Sequence, residues 1–337
     1  MKHILMLSTG GTIASRQTDH GLQPEIPADD LIAEIPELNN LCHITCRQIL
    51  NLDSSNIQPE DWLIIAQKIC TAINEFDGIV ITHGTDTMAY TASALSFMLQ
   101  NLSIPVILTG SQLSIGENGT DAKRNILDAF RTAVTGLCGI YIVFHGKIIL
   151  GTRAKKMYTK SFDAFHSINS EDIGQISDDG IVTIHKTIPA KSCFSADICL
   201  NPNIFVLKLI PGTDPRLLDT VIDLGYQGII IEAFGCGGIP NQERSLLTCL
   251  KKAKECGISV VIASQCIRES VDLSVYDVNV QAAKLGAISG LDMTLETLTA
   301  KLMWVLSHTT DPKTVQKMMH TCYAREFTVE SERTSSL

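Results

Sequence analysis

Residues 78–99 read GIVITHGTDTMAYTASALSFML. An uncharged, β-branched run ends in the polar loop His83-Gly84-Thr85-Asp86-Thr87, and small and apolar residues at helical spacing follow. A strand that shows no polar alternation is buried on both faces, the mark of a parallel sheet covered by helices. The alternation repeats on either side, with HILML at 3–7, a helix pattern at 59–76, PVILTG at 105–110, a helix near 121–134 and GIYIVFH at 139–145. The fold class is therefore α/β, with a larger N-terminal domain built on a doubly wound, mostly parallel sheet. Through 177–203 the pattern loosens into DDG, TIPAKS and NPN, which are turn and linker chemistry. It then restarts as IFVLKLIP, DPRLLDTVIDLG, GIIIEAF, a helix over 242–256, ISVVIAS, and helices over 277–285 and 295–307. These make a smaller C-terminal α/β parallel-sheet domain, and the expected division is 1–190, a linker at 191–203, and 204–337.

At 337 residues, with 45% hydrophobic and 19% charged residues, the chain suits two globular domains. A net charge of −9 and scattered basic residues supply no field to collect a polyanion, so nucleic acid is not an expected partner. Eleven cysteines form an odd, irregularly spaced set, and those in apolar segments, such as Cys138 and Cys266, read as small buried thiols in a reducing compartment. Cys42 and Cys46 have no second pair nearby, so no metal site is expected. The apolar run at 4–7 is too short for a secretory core, and no segment approaches the roughly 20 apolar residues that cross a bilayer. The expected location is cytoplasmic, with no membrane partner.

The N-terminal strand runs into STGGTIAS at 8–15, which lacks both the G-x-G-x-x-G spacing and the G-K-[ST] ending of nucleotide loops. Glycines making a tight turn would explain it alone, but the loop at 83–87 is built the same way. Both loops leave the carboxyl ends of strands, where doubly wound sheets bind ligands. A threonine is a weak nucleophile unless a base or relay lies in reach. Thr85 and Asp86 would form such a relay with an amine from GTRAKK at 151–156, where Lys155 and Lys156 compete. Other residues read as structural. His83 is expected to make a satisfied buried hydrogen bond, residues 234–238 a turn, the Met and Leu stripe at 88–99 core, and Trp62 and Trp304 packing.

LSTGGTIA at 7–14 and GIVITHGTDTM at 78–88 resemble the two signature motifs of the bacterial-type asparaginases, the asparaginase/glutaminase family. The resemblance extends through LDSSN at 52–56, TGSQ at 109–112, RAKK at 153–156, SFDAFHSIN at 161–169 and ISGLDMT at 288–294, nearly the whole chain. It is strongest to the cytoplasmic type I group. It implies hydrolysis of the L-asparagine side-chain amide to L-aspartate and ammonia, with no metal or organic cofactor. Thr12 would attack the amide carbon, and Thr85, Lys156 and Asp86 would move the proton; the lysine three after an arginine favours Lys156 over Lys155. Asp86 would also hold the substrate ammonium, and Ser54 and Ser55, next to Asp53, its carboxylate.

The chain departs from the family at His20-Gly21-Leu22-Gln23-Pro24, where many members carry a tyrosine. Leu22 cannot hydrogen-bond a threonine hydroxyl. The resemblance offers Tyr276, in VDLSVYDVN, as a replacement from a neighbouring subunit, in a homodimer or homotetramer with sites at the interface. Glu232 and Lys155 stand where allosteric members differ, so a hyperbolic response to asparagine is expected. A glutaminase remains open, because one methylene is worth only about 1–3 kcal/mol of discrimination. An amidotransferase subunit of the same family would carry a domain ahead of the nucleophile, which residue 12 argues against. An amide-binding sensor would keep Ser54 and Asp86 but could dispense with Thr12 or the lysine, and both are present.

Overall fold

The computed structural model describes residues 1–18, 21–24, 26–187 and 193–329. Its contacts divide into two compact units, Met1–Ile198 and Cys199–Leu337. The main sheet of the first contains, in chain order, β1 (His3–Gly10), β2 (His43–Leu52), β3 (Gly78–Thr82), β4 (Pro105–Thr109), β5 (Gly139–Phe144), β6 (Lys147–Leu150), β7 (Gly174–Ile176) and β8 (Val182–Ile184). Across the sheet the order is β8-β7-β6-β5-β4-β3-β1-β2. Strands β2, β1, β3, β4 and β5 pair in parallel, whereas β6, β7 and β8 are added antiparallel.

The unbroken apolar runs lie in the middle of this sheet, and Ile4 to Leu7 and Ile79 to Ile81 have no exposed surface. Ile4, Met6, Val80 and Ile107 pack with Ile126, Ala129 and Phe130 of one covering helix. That helix is α3 (Ala122–Val134), preceded by α1 (Pro59–Ala72) and α2 (Met88–Met98). Helix α1 starts at a capping box formed by Gln58 and Asp61, with Pro59 in its first turn, and buries Trp62, Ile65, Ala66 and Ile69. It ends at Ala72 rather than at 76, the chain closing in a tight turn in which the Glu75 and Phe76 N–H groups share the Ala72 carbonyl. Helix α2 is buried on nearly every side, which accounts for its apolar composition all round. Strand β2 has no counterpart in the expected pattern; it is a half-exposed edge strand.

The second unit carries a four-stranded parallel sheet, β9 (Ile204–Lys208), β10 (Gly228–Ala233), β11 (Ser259–Ser264) and β12 (Ile288–Ser289), in that order. Its helices are α4 (Pro215–Asp223), α5 (Leu247–Glu255), α6 (Asp277–Lys284), α7 (Leu295–Leu306) and α8 (Pro312–Met319). Helix α5 begins five residues later than the sequence suggested. Arg244 sits at φ 55°, outside helical geometry, and its guanidinium donates to the Gly212 carbonyl at 2.7 Å. The expectation that the thiols in apolar segments, such as Cys138 and Cys266, are buried is also corrected. Cys42 and Cys249 are buried, Cys138 is half-buried, and Cys193, Cys256 and Cys266 are exposed, the last lying past the end of β11.

Candidate active site

Three loops at the carboxyl ends of neighbouring strands meet backbone to backbone. The Gly11 N–H donates to the Leu52 carbonyl at 2.9 Å, joining the loop after β1 to the end of β2. Gly11 has φ 82°, and a Cβ there would lie 2.4 Å from the Gly84 nitrogen; a Cβ on Gly84 would lie 2.6 Å from the Cβ and Oγ of Ser54. The glycines therefore set the separation between the Thr12, Thr85 and Ser54 loops. Gly11→Ala is expected to keep the fold, read by circular dichroism, and to lower turnover at this site about 100-fold by displacing the loop that carries Thr12. Unchanged turnover would show that this close approach does not matter.

Thr12 opens a short 3₁₀ turn, Thr12–Ala14, and is half-buried. Facing loop 83–87, the short strand Ala154–Lys156 pairs antiparallel with Phe165–Ser167. Strand alternation sends Lys155 and Lys156 to opposite sides, and Lys156 is the lysine that reaches the loop. Its Nζ donates to Thr85 Oγ1 at 2.7 Å and to Asp86 Oδ1 at 2.6 Å. Thr85 is buried, the Lys156 side chain is 18% exposed and that of Asp86 63%, so the chain of groups leads from the interior toward solvent.

Thr85 Oγ1 also donates, at 3.4 Å, to Oε1 of Gln112, whose Nε2 donates to the Ser161 carbonyl at 2.9 Å. Sequence reasoning assigned Gln112 no role. The TGSQ stretch at the end of β4 was its only signal, and only the pairing of β4 beside β3 brings it to Thr85. Ser54 is buried, its Oγ accepts the Asp86 N–H at 3.2 Å, and its carbonyl accepts the Thr87 hydroxyl at 2.7 Å. Asp53 caps the Ser54–Asn56 turn by accepting the Ser55 N–H at 2.8 Å and the Ser55 hydroxyl at 2.5 Å. Tyr276 belongs to the second unit, where it precedes α6 and is 59% exposed. The Leu22 side chain lies outside the described residues.

His83 is fully buried. Its Nδ1 donates to the Gly84 carbonyl at 2.7 Å, which leaves Nε2 to accept the Thr91 hydroxyl at 2.9 Å. Burial pushes its pKa down to about 4, and it holds loop 83–87 as a neutral group. Because the folded value is depressed from 6.5, the unfolded chain takes up the proton first as pH falls. Stability is expected to fall from about pH 6.5 to about 4 by roughly 3 kcal/mol from this group. Urea unfolding at pH 7 and pH 5 checks this, and His83→Gln should reduce the pH slope. An equal slope in the variant would assign the effect to other groups.

A hydroxyl, amine and carboxylate chain beside a second threonine, at the carboxyl edge of a doubly wound sheet, is equipment for acyl transfer. The family model described as Asparaginase, N-terminal matches residues 3–189, and the Glutaminase/Asparaginase C-terminal domain matches 203–319. The chain is 44% identical to the L-asparaginase of Thermococcus kodakarensis over 96% of this chain and 99% of that protein. The solved structure of the thermostable L-asparaginase from that organism superposes with a TM-score of 0.91 at 42% identity, covering 97% of this chain and all of that one. A glutamyl-tRNA(Gln) amidotransferase component of the same organism is 38% identical over 96% of this chain but 76% of its own length. L-asparaginase I from Vibrio cholerae superposes with a TM-score of 0.87 at 31% identity, over 97% and 99% of the two chains. A probable cytoplasmic L-asparaginase from Campylobacter jejuni gives 0.83 at 29%, over 96% and 100%. The chain belongs to the asparaginase family and is an amidohydrolase.

Proposed function

We propose that the protein hydrolyses the side-chain amide of L-asparagine to L-aspartate and ammonia through an ester on Thr12. The observation that carries this reading is the contact chain Thr85, Lys156, Asp86 beside the loop that holds Thr12. Thr12 Oγ attacks the amide carbon, and its proton passes to the relay while the carbonyl becomes tetrahedral. Collapse breaks the C–N bond as the proton is delivered to the leaving nitrogen, and ammonia departs. Water then attacks the aspartyl ester, the relay again accepting a proton and returning one to Thr12. Asp86, whose carboxylate is largely exposed, holds the substrate ammonium. Ser54 and Ser55, with Asp53 ordering their turn, hold its α-carboxylate.

The test is ammonia release from L-asparagine and L-glutamine in parallel, with denaturing mass spectrometry on the wild-type protein quenched in acid during turnover of asparagine. Release from asparagine, with an aspartyl adduct on the peptide carrying Thr12, is the expected result. Preference for glutamine would overturn the substrate, and no ammonia from either amide would overturn the reaction.

The working form in this reading is a cytoplasmic homodimer or homotetramer in which Tyr276 of a neighbouring protomer takes the place of the absent loop tyrosine. Its exposure, and the family resemblance, support that placement. No helix among the described residues is long and apolar enough to cross a membrane. Tyr276→Phe is expected to lower kcat about tenfold or more with sedimentation unchanged. Unchanged kcat and KM would remove Tyr276 from the site.

A further inference from the structure

Within the second unit, at the amino ends of β11 and β12, lies a pocket of about 230 Å³. Leu250, Ile258, Val260, Leu285 and Ile288 are among its walls, and Lys254 and Lys313 also line it. Ser259, also in the lining, is 3% exposed, and its hydroxyl has no hydrogen-bond partner. A buried hydroxyl left unpaired beside a cavity marks a place for a polar ligand atom.

The lysines are available. Among the described residues neither has a carboxylate within ion-pairing distance, although the neighbouring lysines Lys251 and Lys252 do. The Lys254 stem lies against Gly286, and its ammonium donates one proton to the Lys284 carbonyl at 3.3 Å, leaving two. Asp311, close to Lys313 in sequence, has its Oδ2 taken by the N–H and hydroxyl of Thr314. Lys254 and Lys313 thus bring two ammonium groups that make no ion pair among the described residues to one apolar lining, with Asp311 the one carboxylate whose charge acts on Lys313.

We propose that this pocket binds a small organic anion: a carboxylate that accepts the Ser259 hydroxyl and is held by Lys254 and Lys313, with a branched or compact apolar tail of up to about five carbons against Leu250, Val260 and Leu285. The site lies wholly in the second unit and does not rest on the amide-hydrolysis reading.

The experiment is isothermal titration of 3-methylbutanoate into the full-length protein, with 3-methylbutan-1-ol as the uncharged control. Saturable binding of the carboxylate, at least tenfold tighter than the alcohol, is expected. It should weaken at least tenfold in Lys254→Gln/Lys313→Gln, vanish in Ala287→Leu, which fills the pocket, and persist in Thr12→Ala. If Ala287→Leu fails to fold, the surface lysine pair decides. Absence of saturable binding, equal binding of the alcohol, indifference to the lysine pair, or loss in Thr12→Ala would each overturn the proposal.

Discussion

Replacing Thr12 by alanine is expected to reduce ammonia release from L-asparagine at least about 10³-fold, while the folded state and substrate binding remain. The side chain is half-buried at the start of a 3₁₀ turn whose shape is set by Gly11, so alanine fits without strain. The groups assigned to bind substrate, Asp86 and Ser54, are fixed by other contacts, the Lys156 ion pair and the Asp86 N–H bond to Ser54. The loss should therefore fall on kcat. Because the relay acts through the nucleophile, Thr12→Ala/Lys156→Met should be little slower than Thr12→Ala alone. A variant that kept a tenth of wild-type turnover would place the nucleophile elsewhere, with Thr85 the next hydroxyl to examine.

The largest stability effect is expected at Lys301, whose side chain has no exposed surface. It sits in α7 and donates to the Met319 and Thr321 carbonyls at 2.7 and 2.8 Å and to Glu326 Oε1 at 2.6 Å. Glu326 in turn accepts the Tyr323 and Ala324 N–H groups, and the Phe327 ring lies 4.8 Å from the ammonium. Burial pushes the Lys301 pKa down while Glu326 opposes it. Removing one partner leaves an uncompensated charge in the interior, at a cost of about 3–5 kcal/mol. Lys301→Met should lower the urea midpoint accordingly, and Lys301→Met/Glu326→Gln should recover part of the loss, since the second change removes the stranded carboxylate. A loss below about 1 kcal/mol in the single variant would mean that the segment after α8 is held by its apolar contacts alone.

The parts of the fold legible in sequence were those whose burial is unambiguous. The GIVIT, PVILT and GIIIEA runs have both faces covered, so composition alone marks them as central strands. Strand β2, HITCRQILNL, is an edge strand with mixed residues on its faces, and nothing local separates it from a loop. Strands β6 to β8 are three or four residues long, and their antiparallel addition depends on where the chain turns back. The late start of α5 depends on one residue at positive φ held by a distant carbonyl.

The candidate site divides along the same line. Sequence by itself determined the two threonine loops, the family and the residue types of a relay, because a strand followed by a short hydroxyl-rich loop is a local pattern. Spacing alone left Lys155 and Lys156 in competition, the family resemblance favoured Lys156, and Gln112 was assigned nothing. Strand alternation against Phe165–Ser167 turns Lys156 toward Thr85, and the β3–β4 pairing brings Gln112 beside the same hydroxyl. Which side chains meet was decided only by the tertiary structure, because contacts between residues 71 positions apart, such as Thr85 and Lys156, exist only after the sheet has set its register.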